Sequence, residues 1–449
     1  MQKAFEHQKI TTDFIKQNDR CLITSDPGTG KTRSVLDAIV DRKSRTLVVA
    51  PLSILESSWV DDIRKFQPTI TYGVAYAKNR AKIFNDKSLN VVITNHDAVK
   101  WVAKNYSILS DFDTLVIDEF TAFKNKDSQR SKACQYIASA FNYRIAMSGT
   151  PNSNTILDIW HPTLLVDDGE RLGNRFYSFR NAVCTSQHNG FGVVWTDKET
   201  AQETVGAALS DINIRYELED CLDMPEQSVH TMYVDLPDKI FQQYIALSND
   251  NVLYTGKTTI NAIHAGAKVK KLLQLCTGAI YDENGNSESI HTERYDLVMQ
   301  LVQQRAHSLV AFNWRHEREH MQTLADKLKI NHATIDGETP VGKRKDIVDR
   351  LQAGQLQVVF CHPQSAGHGL TMTKAKSIIW ASPTYNAEHY QQFNRRIYRA
   401  GQTDKTEVIQ IAARNTWETD VYNKLSTKLG KMEELLFVLK DLHKNRKAS

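Results

Sequence analysis

The sequence predicts an α/β protein made of two doubly wound parallel sheets, with a mostly helical insertion between them. Three observations lead there. Short apolar runs alternate with amphipathic helical stretches over residues 21–150, and the same rhythm returns from about residue 291. Strands alternating with helices imply a parallel sheet covered on both faces. At 449 residues the chain is also too long for one core. The expected division is 1–155, 156–290 and 291–449.

In the first part, strands are expected at 21–24, 46–50, 90–94, 114–118 and 144–147, with helices at 32–41 and 53–66. Chemistry in such sheets gathers at the carboxyl ends of the strands. The loops beginning at Ser25, Pro51, Asn95, Glu119 and Ser148 all fall there. The middle part breaks the rhythm. It includes the run 160–166, a Gly/Asn-rich stretch near 188–192 and helical patterns around 236–248 and 258–276, and Met224-Pro225 marks a turn. The polar run 282–289 is expected to be a hairpin tip or linker. In the last part, strands are expected at 308–312, 333–335, 356–360, 377–380 and 407–412. A helix opens at Thr339-Pro340 and stops at Ala353-Gly354, with Pro at its start and Gly past its end. The basic tail Lys444-Asn445-Arg446-Lys447 reads as a frayed, solvated terminus.

Composition excludes little. Hydrophobic residues make up 41% and charged residues 24%, ordinary for a globular protein, and the net charge is only +4. A local basic groove can still sit on such a body. The six cysteines are scattered without zinc-ligand or redox-pair spacing, as expected for free thiols in a reducing compartment. No apolar leader or membrane-length run is present, so a cytoplasmic protein is expected.

The chemistry concentrates in four segments. Ser25-Asp26-Pro27-Gly28-Thr29-Gly30-Lys31-Thr32 lies between an expected strand and an expected helix. Glycines there let backbone N–H groups converge on phosphate, and the helix start adds its positive dipole end. Lys31 would reach the outer phosphates and Thr32 would ligate magnesium. Ser25 stands where the strict pattern has a glycine. Leu115-Val116-Ile117-Asp118-Glu119 delivers two carboxylates at a strand tip: Asp118 for Mg²⁺, Glu119 to orient and deprotonate a water. Ser148-Gly149-Thr150-Pro151 follows another strand, and its hydroxyls can couple the carboxylates to a nucleic-acid face. Late in the chain, Arg396 and Arg399 are placed on one face of a helix, one turn apart, where guanidinium groups suit a charge-spreading phosphoryl transition state. Gln8, following Phe5 and His7, carries an amide able to read an adenine edge. A phosphate loop and a distant arginine pair suggest a two-lobed ATP motor.

In order and wording these segments resemble superfamily-2 helicases, and within them the SNF2-type DNA translocases. Residues 5–8 are similar to the Q motif, 25–32 to motif I, and 47–55 (Leu-Val-Val-Ala-Pro-Leu-Ser-Ile-Leu) to motif Ia. Residues 92–97 resemble motif Ib, Asp118-Glu119-Phe120-Thr121 with Lys124-Asn125 motif II, and 148–151 motif III. Residues 309–314 resemble motif IV, 365–371 motif V, 392–402 motif VI, and 415–428 the helix closing the second lobe. Segments 214–236 and 271–282 are similar to the family's connection between lobes. The wording Ala366-Gly367-His368-Gly369-Leu370, with no appended reader domain, looks most like compact phage or prophage members. Phe120-Thr121 replaces the usual Ala-His, Tyr385-Asn386 stands where the family has Trp-Asn, and 380–382 lacks an acid that many members carry.

The resemblance implies two RecA-like lobes, ATP and Mg²⁺ as cofactors, and duplex or branched DNA as partner, with a monomer sufficient and no membrane. It implies nucleotide contacts from Phe5, Gln8, Gly28, Thr29, Gly30, Lys31, Thr32 and Gly369, and DNA contacts from Pro51, Ser53, Asn95, Lys124, Arg315, Thr371 and Tyr385. The activity expected is DNA translocation on recombination or replication intermediates: branch migration, fork regression or annealing. Two rivals stand beside it. One is a helicase tracking a single strand of RNA or DNA. The other is a nucleotide-dependent clamp without turnover, which the set Lys31, Glu119, Arg396 and Arg399 argues against.

Overall fold

The computed structural model describes residues 3–188, 193–250, 252–255, 258–261, 265–282, 286–366 and 369–448. The chain divides into two compact units, Met1–Asp223 with Lys428–Ser449, and Met224–Thr427. This differs from the three-part division expected. The expected middle part, 156–290, is divided between the two units. Its earlier part belongs to the first unit and its later part to the second.

The first unit is built on seven strands: β1 Arg20–Ile23, β2 Arg45–Ala50, β3 Tyr72–Ala75, β4 Val91–Asn95, β5 Phe112–Asp118, β6 Tyr143–Met147 and, after the hairpin β7 Cys184–His188 and β8 Val193–Asp197, β9 Asn213–Ile214. Their order is β3-β4-β2-β5-β6-β1-β9, and every pairing in that sheet is parallel. Alternation along β2 shows why both faces are covered. Leu47 and Val49 join one apolar cluster, while Val48 and Ala50 join the other. The five expected strands are present, shifted by a residue or two. The strands β3 and β9 were not expected. Strand β3 is an edge carrying Gly73, whose missing side chain leaves room for Ile83 and Leu89. Strand β9 is only two residues long.

The second unit holds β10 Gln227–Val234, the hairpins β11 Val252–Thr255 with β12 Thr258–Asn261 and β13 Ala279–Tyr281 with β14 Ser287–Ser289, then β15 Ser308–Ala311, β16 His332–Ile335, β17 Val358–Cys361, β18 Ser377–Trp380 and β19 Thr406–Ala413. Its six-stranded sheet runs β10-β19-β18-β15-β17-β16, again all parallel. Strand β10 escaped the sequence pattern because it is an edge strand with no fully buried side chain, not an apolar run. The helix after Pro340 spans Val341–Gln352 and ends before Gly354 at φ +74°, as the Pro and Gly positions predicted.

The middle segment is richer in strands than expected. The helical pattern at 258–276 resolves into β12 and a helix from Ala265–Cys276. The run 282–289 closes the β13–β14 hairpin, with 283–285 outside the described residues, as are 189–192 of the Gly/Asn-rich stretch. The expected frayed tail is instead the end of a helix, Trp417–Ala448, far longer than the 415–428 segment. Leu435 and Leu439 bury in the first unit's apolar cluster, and Val438 packs over Gly206, so the helix has a buried face to reward its continuation. No helix among the described residues is long and apolar enough to cross a membrane.

Candidate active site

The parallel register brings the expected nucleotide residues of the first unit to one end of its sheet. Ile23 pairs with Met147, and Met147 with Asp118, so β1, β6 and β5 end side by side. The phosphate loop, the Ser148 turn and the carboxylates follow these three tips.

The loop turns on Gly28 and Gly30, at φ +93° and +83°. Both lie in the left-handed region that a side chain disfavours, and a Cβ on Gly30 would overlap the Gln8 amide. The helix Lys31–Ile39 starts directly after Gly30 with no side-chain cap, leaving its first N–H groups for a ligand. The Lys31 Nζ donates to the carbonyls of Ser25 (2.8 Å) and Asp26 (3.1 Å). Burial lowers its pKa, against the pull of Glu119 and Asp118. A phosphate would supply this ammonium with a stronger acceptor than two carbonyls.

Asp118 is buried. Burial, then the charge of Glu119, raises its pKa. Its Oδ2 accepts the indole N–H of Trp59 at 2.9 Å, and its carbonyl accepts from His96 Nε2 at 2.7 Å, so that nitrogen carries the proton. Glu119 sits at φ +51°, a strained conformation for this residue. There its Oε2 accepts the Ser148 hydroxyl at 2.9 Å, while Ser148 Oγ accepts the Thr150 N–H at 3.2 Å. Gly149 lets this turn approach the phosphate loop, since a Cβ would come 2.7 Å from Pro27 Cδ. Carboxylate and hydroxyl oxygens are hard donors, so Asp118 and Thr32 fit a magnesium ion. Thr32 Oγ1 lies 3.4 Å from Ser58 Oγ.

Gln8 bridges rather than points outward: Nε2 donates to Thr29 O at 3.1 Å and Oε1 accepts from Phe5 N at 3.1 Å. His7 Nε2 lies 2.8 Å from the same Thr29 carbonyl, and its ring stacks on the half-exposed Phe5 at 5.8 Å.

In the second unit the arginines correct one expectation. The helix Ala387–Asn394 ends before them, so Arg396 and Arg399 lie in the turns that follow. Past Asn394 the chain tightens: the N–H of Arg396 bonds the Phe393 carbonyl at 2.9 Å, three residues back, and the Arg396 carbonyl accepts the N–H of Met372 at 3.1 Å. The pair still converges. Arg396 Nη1 and Arg399 Nη1 donate to one acceptor, Leu370 O, at 3.2 and 3.1 Å. Gly369 adjoins it at φ +68°, while Gly367 and His368 lie outside the described residues.

Pro51 and Ser53 follow β2, and Asn95 ends β4 and accepts weakly from Arg80 at 3.5 Å. Lys124 is tied internally, donating to Ser153 Oγ at 2.9 Å and pairing with Asp158 at 3.3 Å. Arg315 is exposed with a loose Glu319 partner at 3.5 Å. Thr371 is half-buried, and Tyr385 lines a cavity of about 500 Å³ with Trp314 and Lys270.

Trp59 and the Arg215–Asp26 pair were missed. Trp59 lies in 53–66, expected to be one helix. The segment runs instead through a 3₁₀ turn Leu52–Ile54, a π-helix Leu55–Val60 and the α-helix Asp61–Phe66. A buried Trp in an apolar helical pattern reads as core, and nothing in that pattern signals the wider turn that aims its N–H at Asp118.

A phosphate loop, neighbouring carboxylates and a second α/β lobe define the class: an ATP-hydrolysing enzyme of the helicase type. The chain belongs to the SNF2-related family. Its residues 8–279 match the SNF2-related domain and residues 293–401 the helicase conserved C-terminal domain. Protein p41 of Acyrthosiphon pisum secondary endosymbiont phage 1 is 28% identical over 97% of this chain and 98% of its own length. An uncharacterized ATP-dependent helicase of Mycoplasma genitalium is 21% identical over 89% of this chain, which spans only 38% of that relative. The Caenorhabditis elegans homolog of SWI/SNF-related matrix-associated actin-dependent regulator of chromatin subfamily A-like protein 1 is 22% identical over 96% of this chain and 61% of its own. Among solved structures, the Sulfolobus solfataricus SWI2/SNF2 ATPase core in complex with dsDNA is similar, with TM-score 0.46 and 20% identity, covering 97% of this chain and 93% of that one.

Proposed function

We propose that this protein is an ATP-dependent translocase on double-stranded DNA that remodels recombination or replication intermediates by branch migration, fork regression or annealing. The observation that carries the hydrolytic part is the clustering of Lys31, Asp118, Glu119 and Ser148 at one end of one sheet, with Lys31 electrostatically coupled to both carboxylates and Ser148 bonded to Glu119. Magnesium bound with ATP would neutralise phosphate charge, held by Thr32 and Asp118. Lys31 leaves its two carbonyls for the outer phosphates. Glu119, held by Ser148, aligns a water and takes its proton as the water oxygen attacks the terminal phosphorus. The bond from that phosphorus to the bridging oxygen breaks, and ADP leaves. Arg396 and Arg399 of the second lobe would supply the guanidinium charge that stabilises the transferred group as its charge spreads.

Pro51, Ser53, Asn95, Lys124, Arg315, Thr371 and Tyr385 are the proposed grips on DNA, through phosphate and sugar contacts without base preference. Lys124 would exchange Asp158 for a phosphate. Alternate closure and opening of the lobes with ATP binding and hydrolysis would move the grip along the duplex.

An ATPase assay across duplex, forked, four-way and single-stranded DNA, and single-stranded RNA, tests this. Duplex-containing DNA should stimulate turnover most, and Lys31→Ala and Glu119→Gln should each abolish it. Turnover driven mainly by single-stranded RNA, or wild-type turnover in either variant, would overturn the proposal.

A further inference from the structure

The phosphate loop is held from behind by residues 215–218, just past β9. The Arg215 guanidinium, with only 5% of its side chain exposed, donates from Nη1 to Thr24 O at 2.6 Å and from Nη2 to Asp26 Oδ1 at 3.0 Å. The N–H of Leu218 reaches Asp26 Oδ2 at 3.3 Å, that of Tyr216 reaches Ser25 Oγ at 3.0 Å, and that of Asp26 reaches Tyr216 O at 2.9 Å. Ser25 and Asp26 are the residues whose carbonyls hold Lys31, and the Asp26 carbonyl also accepts the Thr29 hydroxyl at 2.8 Å. Whatever turns Asp26 therefore turns the loop.

A second carboxylate competes for the same nitrogen. Glu217 Oε1 lies 3.8 Å from Arg215 Nη2. Its other oxygen, Oε2, pairs with Lys440 on the helix Trp417–Ala448, and Lys440 also pairs with Asp220 at 2.7 Å. The Lys440 side chain is 15% exposed, so solvent screens this pairing only partly.

We propose that Arg215 is a positioning residue for the phosphate loop, and that Lys440 on the terminal helix sets its hold on Asp26 by keeping Glu217 out of competition. This deepens the nucleotide-hydrolysis reading above and rests on it. With Lys440 neutralised, Glu217 turns toward Arg215, the Asp26 bond loosens and the loop loses its preset shape. A loop that must be ordered by its ligand binds that ligand more weakly.

The test compares the full chain with Lys440→Met, which keeps the stem and drops the charge, and with Lys440→Met/Glu217→Gln. Two quantities are read: affinity for a fluorescent ATP analogue, and amide hydrogen exchange of residues 24–30 without nucleotide. Lys440→Met should weaken binding about threefold to fivefold, the size of a partly buried ion pair, and speed the exchange. Adding Glu217→Gln should restore both. Unchanged binding and exchange in Lys440→Met, or a loss that Glu217→Gln does not repair, would overturn the proposal; the second outcome would leave Lys440 a packing residue. If the wild-type chain binds no nucleotide, the hydrolysis reading falls, and the exchange arm still decides whether residues 215–218 clamp the loop.

Discussion

Two single side chains carry sharp expectations. The Trp59 indole N–H holds one oxygen of Asp118, which leaves the other for the proposed magnesium. Hydrogen bonds to charged groups contribute about 1.5–3 kcal/mol. Trp59→Phe keeps an aromatic ring and drops the donor, so the magnesium concentration for half-maximal ATPase should rise about tenfold, with some loss of melting temperature from the smaller ring in a fully buried site. A titration of ATPase rate against magnesium checks it. Glu317 makes a different prediction. It is buried and accepts from Asn313 N, Trp314 N and Ser382 Oγ, and burial raises its pKa from 4.5 to about 7. The folded second lobe then binds more protons than the unfolded chain between about pH 4.5 and 7, so this group's contribution falls as pH rises through that window. The span is roughly 3 kcal/mol. Glu317→Gln retains the acceptor for the two backbone N–H groups and should flatten the slope, which denaturant unfolding at pH 5, 6 and 7 would show.

At the scale of elements, apolar runs closed by glycine, proline or a carboxylate were legible, because a buried parallel strand leaves an unbroken apolar signature. That is how 46–50, 114–118 and 377–380 located the sheets and how Ser25, Glu119 and Ser148 fell at their tips. Edge strands carry no such signature. Strand β10, with no fully buried side chain, was invisible for that reason. The turn after Asn394 was hidden because nothing in the run 392–399 marks a stop, while the contact made there, Met372 N–H to the Arg396 carbonyl, comes from a segment remote in sequence. The terminal helix is similar, its length fixed by Leu435 and Leu439 burying against elements far away in sequence. Leu439→Ala should destabilise the first unit by about 2–4 kcal/mol, read as a lower urea midpoint at unchanged slope.

For the whole molecule, the proposed nucleotide-driven grip assigns one parallel sheet to hold phosphates and the other to supply cations. If the grip is on phosphates alone, duplex affinity should fall more than about tenfold between 50 and 200 mM salt and depend little on sequence. A fluorescence-anisotropy titration at several salt concentrations measures both. The central claim is that the arginines of the second lobe finish the chemistry begun in the first. It is tested most directly by Arg399→Ala in single-turnover hydrolysis, alongside binding of duplex DNA and of an ATP analogue. Both bindings should persist while hydrolysis falls about 10³-fold or more. Hydrolysis at the wild-type rate in that variant would contradict the account.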